Sequence, residues 1–215
     1  MNKSLLITRP NHDYAVNYLF YWSASIINLA RRKNFQTIDL SGKKANRFDF
    51  AGRVNKINPS FIFFNGHGNE TQITGQKKEI LVSTKRNLNL LKNRIIFARS
   101  CSSAKKLGPK SVSLGAKTFI GYKEPFIFVS DPRMVAKPLS DNTAALFLKP
   151  SNLVATTLIK GHSSSEANTR AKKAFKRNIK KLLTSETKRE DASVLRFLFW
   201  DMKHQVCLGD PDAVL

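Results

Sequence analysis

Hydrophobic positions along the chain fall into two periodicities. Short runs rich in β-branched and aromatic residues occur at Ser4–Thr8, Gln36–Leu40, Ser60–Asn65, Arg94–Ala98, Lys117–Tyr122 and Gln205–Leu208. Several are continuous rather than alternating, the signature of strands buried on both faces of a parallel sheet. Ile80–Ser83 reads as a smaller strand, and Phe126–Val129 as an extension or successor of Lys117–Tyr122. Between the runs the period lengthens to that of a helix. From Asp13 to about Arg32, Tyr14, Tyr18, Trp22, Ile26 and Leu29 share one stripe, with Asn11 or Asp13 as cap. A short helix is predicted around Phe48–Ile57 and a helical turn at Asn87–Leu91. Pro132–Lys160 is helical in places but punctuated by Pro138 and Pro150. Ser163 and Glu166 have capping-box spacing and open a long helix to about Leu183, with Ala167, Ala171, Ala174, Phe175, Ile179 and Leu182 inward. Ser193–Met202 predicts another helix. No linker divides the chain, so residues 1–215 are expected to form one α/β domain: a three-layer αβα sandwich around a mostly parallel sheet of about six strands.

Two of these strands end in reactive residues. Phe61-Ile-Phe-Phe-Asn-Gly leads into His67 and Gly68, and Arg94-Ile-Ile-Phe-Ala-Arg-Ser leads into Cys101. Ligands of open α/β sheets bind at the carboxyl ends of the strands, and neighbouring strands lie about 4.8 Å apart. An imidazole and a thiol leaving one edge of adjacent strands can flank one carbonyl, the layout of a Cys–His nucleophilic dyad. Gly66 and Gly68 free the backbone around His67 for close approach of a ligand. The amides of Gly68 and Cys101 are candidate oxyanion donors. Ser102-Ser103-Ala104 resembles a helix start, where the dipole would favour the Cys101 thiolate.

Strand-His-Gly followed by strand-Cys resembles the caspase-like cysteine peptidases: caspases, metacaspases, legumains, gingipains, clostripain and separases. The order from Ile7-Thr-Arg-Pro to the closing Leu208-Gly-Asp-Pro is most similar in pattern to the gingipain-like and separase-related (CHAT) branches. The resemblance implies a caspase-like fold and cysteine endopeptidase activity on protein or peptide substrates. Cys101 is then the nucleophile and His67 the general acid/base, with no cofactor. In those families the primary pocket is lined from the end of the first strand, the residue two before the cysteine, and the segment after the following strand. Here these are Arg9 or Asp13, Arg99, and Tyr122-Lys-Glu124. Arg9 and Arg99 would favour an acidic or polar P1 side chain through bidentate pairing; Asp13 and Glu124 would favour a basic one. The competing reading is a catalytically inactive caspase-like domain, or a basic nucleic-acid-associated α/β module with Cys101 buried.

Charge bears on partners rather than on fold. With 37 Lys+Arg against 15 Asp+Glu, the formal net charge is +22. Arg170, Lys172, Lys173, Lys176, Arg177, Lys180 and Lys181 fall on the outer face of the long helix, either a solvated face or a docking surface for an acidic partner or nucleic acid. Cys101 and Cys207 are too few for a disulfide scaffold and point to a reducing compartment, by default the cytoplasm. Cys207 falls in the last predicted strand and reads as core. The apolar run after Met1 is too short for a signal peptide or membrane span. His12, His162 and His204 lack partners at metal-ligand spacing, so no metal is expected. No glycine-rich phosphate loop suggests a nucleotide.

Overall fold

The computed structural model describes residues 3–183 and 194–215. Its strands are β1 (Ser4–Arg9), β2 (Gln36–Ser41), β3 (Phe61–Asn65), β4 (Gly68–Asn69), β5 (Gln72–Thr74), β6 (Ile80–Ser83), β7 (Ile95–Arg99), β8 (Thr118–Tyr122) and β9 (Gln205–Gly209). Its α-helices are α1 (Tyr14–Trp22), α2 (Ala24–Arg32), α3 (Arg47–Ile57), α4 (Leu107–Ser113), α5 (Asn142–Ile159), α6 (Ser164–Leu182) and α7 (Leu195–His204). The main sheet has six strands in the order β2-β1-β3-β7-β8-β9. All neighbours run parallel except β9, which closes the edge antiparallel to β8. The strand order reverses at β1, which opens a crevice between the carboxyl ends of β1 and β3.

Side-chain alternation splits each central strand between two cores. Leu5, Ile7, Phe61, Phe63, Ile95 and Phe97 meet α2, α5 and α6 on one face. Leu6, Ile62, Phe64, Ile96 and Ala98 meet α3, α4 and the small sheet on the other. The three-layer αβα sandwich expected from the periodicity is therefore present. The small antiparallel sheet β4-β5-β6 adds two strands to the expected Ile80–Ser83. Phe126–Val129 forms no strand, and the expected helix start at Ser193 lies outside the described residues.

Two helices depart from the pattern for identifiable reasons. The stripe from Asp13 to Arg32 is divided at Ser23 into α1 and α2. There the Trp22 carbonyl accepts from the Asn152 amide at 2.8 Å and the Ser25 hydroxyl at 3.3 Å, while the Ile26 N–H turns to the Ser23 carbonyl at 3.1 Å. Hydroxyl and amide side chains that compete for helix carbonyls bend or break helices. Pro150, by contrast, fails to break α5, which runs through it for 18 residues. Proline removes the N–H that would serve the carbonyl four residues earlier. That carbonyl, on Leu146, accepts instead from the Asn178 amide of α6 at 2.7 Å. Helix α6 opens with the expected capping box of Ser163 and Glu166 and buries Ala167, Ala171, Ala174 and Phe175, with Ile179 and Leu182 half-buried.

The α5–α6 substitution of one donor for another is testable. Asn178→Ala should destabilise the fold by about 1 kcal/mol, the worth of a hydrogen bond lost from a partly buried carbonyl. In a Pro150→Ala background, where the backbone donor returns, the same change should cost measurably less. Denaturant midpoints of the four proteins read the coupling; equal costs in both backgrounds would contradict the assignment.

Candidate active site

The crevice at the switch point gathers residues from three strand ends. In the register of β3 with β7, Asn65 lies opposite Arg99. His67 and Cys101 each follow two residues later, so they leave adjacent parallel strands at the same edge. The junctions touch: a β-carbon placed on Gly68 would lie 3.1 Å from the Ser100 Cβ. Gly66 is equally constrained, since a β-carbon there would lie 2.2 Å from the Thr74 carbonyl oxygen. This close pass lets the chain turn from β3 into the β4–β5 hairpin, where the His67 carbonyl accepts from Thr74 N–H at 2.9 Å and its hydroxyl at 3.1 Å.

The third residue follows β1, in the turn that leads into α1. Asp13 caps α1 by accepting from the Val16 N–H at 3.1 Å through Oδ1. Its other oxygen, Oδ2, lies 2.7 Å from His67 Nε2. Burial pushes the Asp13 carboxyl up, but the His67 hydrogen bond and the Val16 amide outweigh it and hold the group below its ordinary range. An ionised Asp13 selects the tautomer of His67 with the proton on Nε2, which leaves Nδ1 with a free lone pair. Asp13 entered the sequence reading as a helix cap or pocket residue. Its pairing with His67 depends on β1 lying beside β3, which spacing along the chain does not reveal. His12 joins the same group, its Nε2 3.4 Å from Asp13 Oδ2 and its ring edge-on to His67 at 6.0 Å.

Cys101 is placed differently from the expectation. No helix begins at Ser102: residues 101–106 are turns and α4 starts only at Leu107. Ser102 adopts a left-handed backbone with φ of 53°. The turn is tied to the segment after β8, with Ser102 N–H donating to the Glu124 carbonyl at 3.2 Å and Ala104 N–H to that of Tyr122 at 3.0 Å. Without a dipole to lower it, the half-buried thiol is pushed up by burial. Its Sγ contacts the Phe126 carbonyl at 3.9 Å. Burial thus favours the neutral thiol at Cys101.

Both arginines expected to meet substrate are held internally. Arg9 forms a two-pronged pair with Asp39 at 2.9 and 2.5 Å, donates to the Phe20 carbonyl at 2.9 Å, and stacks on the Phe20 ring. Arg99 is wholly buried over Phe63 and donates to Asn65 Oδ1 at 2.9 and 2.5 Å and Asn152 Oδ1 at 2.8 Å. Neither presents a free guanidinium to a pocket, because alternation along β7 sends Arg99 to the same face as Ile95 and Phe97. Glu124 remains at the surface, 4.0 Å from Lys105. Cys207 is half-buried on β9 against the core, unpaired like Cys101.

One buried group was missed altogether. Asp201 lies one helical turn past Leu198 on the inward stripe of α7, and both are fully buried. Asp201 Oδ1 accepts from the Ile127 N–H at 3.0 Å, tethering the segment that carries Phe126, whereas Oδ2 has no partner. A lone acid on an apolar stripe is the signal that sequence reading can use.

No protein-family model and no curated protein sequence matches the chain. Its structure is nevertheless similar to a crystal structure of the Arg specific cysteine proteinase gingipain R (RgpB), with TM-score 0.65 and 13% identity over 100% of this chain. A complex of Porphyromonas gingivalis RgpB pro- and mature domains is similar at TM-score 0.63 and 12% identity, again over 100% of this chain. The fold is gingipain-like. It is a caspase-like αβα sandwich, and the chain spans about half the length of these two neighbours, 48% of each. Among the described residues, no helix is long and apolar enough to cross a membrane. The basic face of α6 is in place, with Arg170, Lys173, Lys176, Arg177, Lys180 and Lys181 exposed and Lys172 half-buried.

Burial raises the Asp201 carboxyl well above its ordinary value. The folded state thus binds a proton that the unfolded chain releases near pH 4, so this group costs stability progressively as pH rises above about 4. Asp201→Asn keeps the acceptor for Ile127 and removes the titration. Its thermal midpoint should exceed that of the wild type at pH 8, with the gap closing toward pH 4; a gap independent of pH would contradict the assignment.

Proposed function

We propose that the chain is a cysteine endopeptidase in which Cys101 is the nucleophile and His67 the general acid/base. The observation that carries this reading is the convergence of His67, held at Nε2 by Asp13 at 2.7 Å, and Cys101 on adjacent strand ends of a gingipain-like fold. In this scheme Nδ1 of His67 takes the Cys101 proton, which the raised thiol does not release unaided. The sulfur attacks the scissile carbonyl, and the oxyanion accepts from the Gly68 and Cys101 amides. Collapse of the tetrahedral adduct expels the amine, which takes the proton from His67. Water, deprotonated by His67, then releases the acyl group from Cys101. Asp13 positions the ring and stabilises the imidazolium between these steps. No cofactor is required.

Substrate entry needs the Phe126 carbonyl to leave Cys101, so the segment from Lys123 to Asp131 is the gate in this proposal. Specificity passes from the buried arginines to groups that remain accessible, among them the half-exposed Glu124. The two unpaired cysteines fit a reducing compartment such as the cytoplasm. A second reading, a catalytically silent domain whose basic helix α6 docks an acidic protein or nucleic acid, draws support from the covered thiol and the exposed cations of α6.

Hydrolysis of an unstructured protein such as casein should be lost in Cys101→Ala and in His67→Ala. Asp13→Asn should retain a residue of activity reduced by about 10²–10⁴-fold, the range expected when an orienting carboxylate is neutralised. Wild-type cleavage that survives Cys101→Ala would exclude the dyad.

A further inference from the structure

We propose that His12, Asp13 and His67 form a Zn²⁺ site, and that zinc bound there switches the peptidase off. Among the described residues, these three offer donor atoms that all lie within 4.8 Å of one another. His67 Nε2 is hydrogen-bonded to Asp13 Oδ2 at 2.7 Å, and His12 Nε2 lies 3.4 Å from the same oxygen. Tetrahedral zinc with bonds of about 2.0–2.1 Å holds its nitrogen and oxygen ligands about 3.3 Å apart. The two separations to Asp13 Oδ2, 2.7 and 3.4 Å, lie on either side of that value, and no pair of the three donors is more than 4.8 Å apart. Two imidazoles and one carboxylate are a donor set that suits zinc, and three protein ligands leave the fourth position to water.

The second observation is His12 itself. Neither of its ring nitrogens has a hydrogen-bond partner, although both are shielded from solvent. A largely buried imidazole with both nitrogens unsatisfied is costly in a folded chain, and metal ligation removes half of that cost. His67 and Asp13 keep side-chain exposures of 36% and 35%, which gives the ion a path in from solvent.

The inhibitory part rests on the peptidase reading; the binding part does not. With zinc on Nε2, the His67 proton moves to Nδ1. The ring then cannot accept a further proton there, so the Cys101 thiol loses its base. Asp13 is drawn into ligation at the same time. His12 transfers no proton in the proposed chemistry, so the metal sensitivity of its variants is read as a ratio to each variant's own zinc-free rate.

The test is calorimetric titration of the full chain with zinc chloride, with casein cleavage measured in parallel. Wild type and Cys101→Ser should each take up one equivalent, which shows that the thiol is not the anchor. His12→Ala and His12→Gln should bind more weakly by at least about tenfold, the least that even an outer-shell partner contributes. Both variants, each measured against its own zinc-free rate of casein cleavage, should need correspondingly more zinc for half-inhibition. Cobalt in place of zinc should give a visible ligand-field band without thiolate charge transfer. Failure of the wild type to take up zinc, or unchanged uptake in both His12 variants, would overturn the site. Zinc uptake that depends on His12 while cleavage stays unaffected would overturn the switch. Zinc uptake that depends on His12 in a chain that cleaves nothing would uphold the site and sink the peptidase reading alone.

Discussion

The buried guanidinium of Arg99 is the constraint on which the site depends. It has no carboxylate partner; Asn65 Oδ1 and Asn152 Oδ1 are its acceptors. Those amides are committed elsewhere in turn, Asn65 Nδ2 to the Thr8 carbonyl at 3.0 Å and Asn152 Nδ2 to the Trp22 carbonyl at 2.8 Å. One cation thus ties β1, β3, β7, α1 and α5 together just below the edge where Asp13, His67 and Cys101 emerge. Burial pulls the Arg99 guanidinium down to about 9, which still leaves it charged at neutral pH. A buried charge tolerates little displacement of its acceptors, because each lost hydrogen bond leaves desolvation uncompensated. Register between β3 and β7 is thereby fixed where a one-residue slip would turn His67 or Cys101 to the wrong face.

Above that network the chemistry divides between two electrostatic environments. Asp13 and His67 are half-exposed and mutually stabilised, so the imidazole is oriented and its distal nitrogen available. Cys101 is in a drier place, capped by the Phe126 carbonyl, and its thiol resists ionisation. In the proposed mechanism, such a thiol would be activated by His67 only once substrate has displaced the covering segment. Asp201 anchors that segment through Ile127 from beneath. The same carboxylate that orients His67 also faces His12, which makes this corner of the crevice receptive to a cation despite the chain's net charge of +22.

Legibility in the sequence followed the range of the interactions. Continuous runs such as Phe61–Asn65 and Ile95–Arg99 declared buried parallel strands, and their glycine and cysteine ends located His67, Gly68 and Cys101 at one edge. Strand order was not legible, and with it went the pairing of Asp13 and His12 with His67 across 54 or more positions. Arg99 looked like a pocket residue because it neighbours the cysteine, whereas the two-residue period of its own strand directs it inward. Pro150 read as a break because the donor that replaces its missing N–H, Asn178, sits on another helix. The absent helix at Ser102 has a comparable origin: the turn after Cys101 is held by carbonyls of Tyr122 and Glu124, remote in sequence.

The central claim is that Cys101 is a nucleophile whose reactivity comes from His67. It is tested most directly by treating the folded chain with a peptidyl acyloxymethyl ketone and locating the adduct by mass spectrometry of the digest. The account predicts one adduct, on Cys101, whose rate of formation falls sharply in His67→Ala while Cys207 stays unmodified. Labelling of Cys101 at the same rate without His67, or no labelling of Cys101 at all, would contradict it.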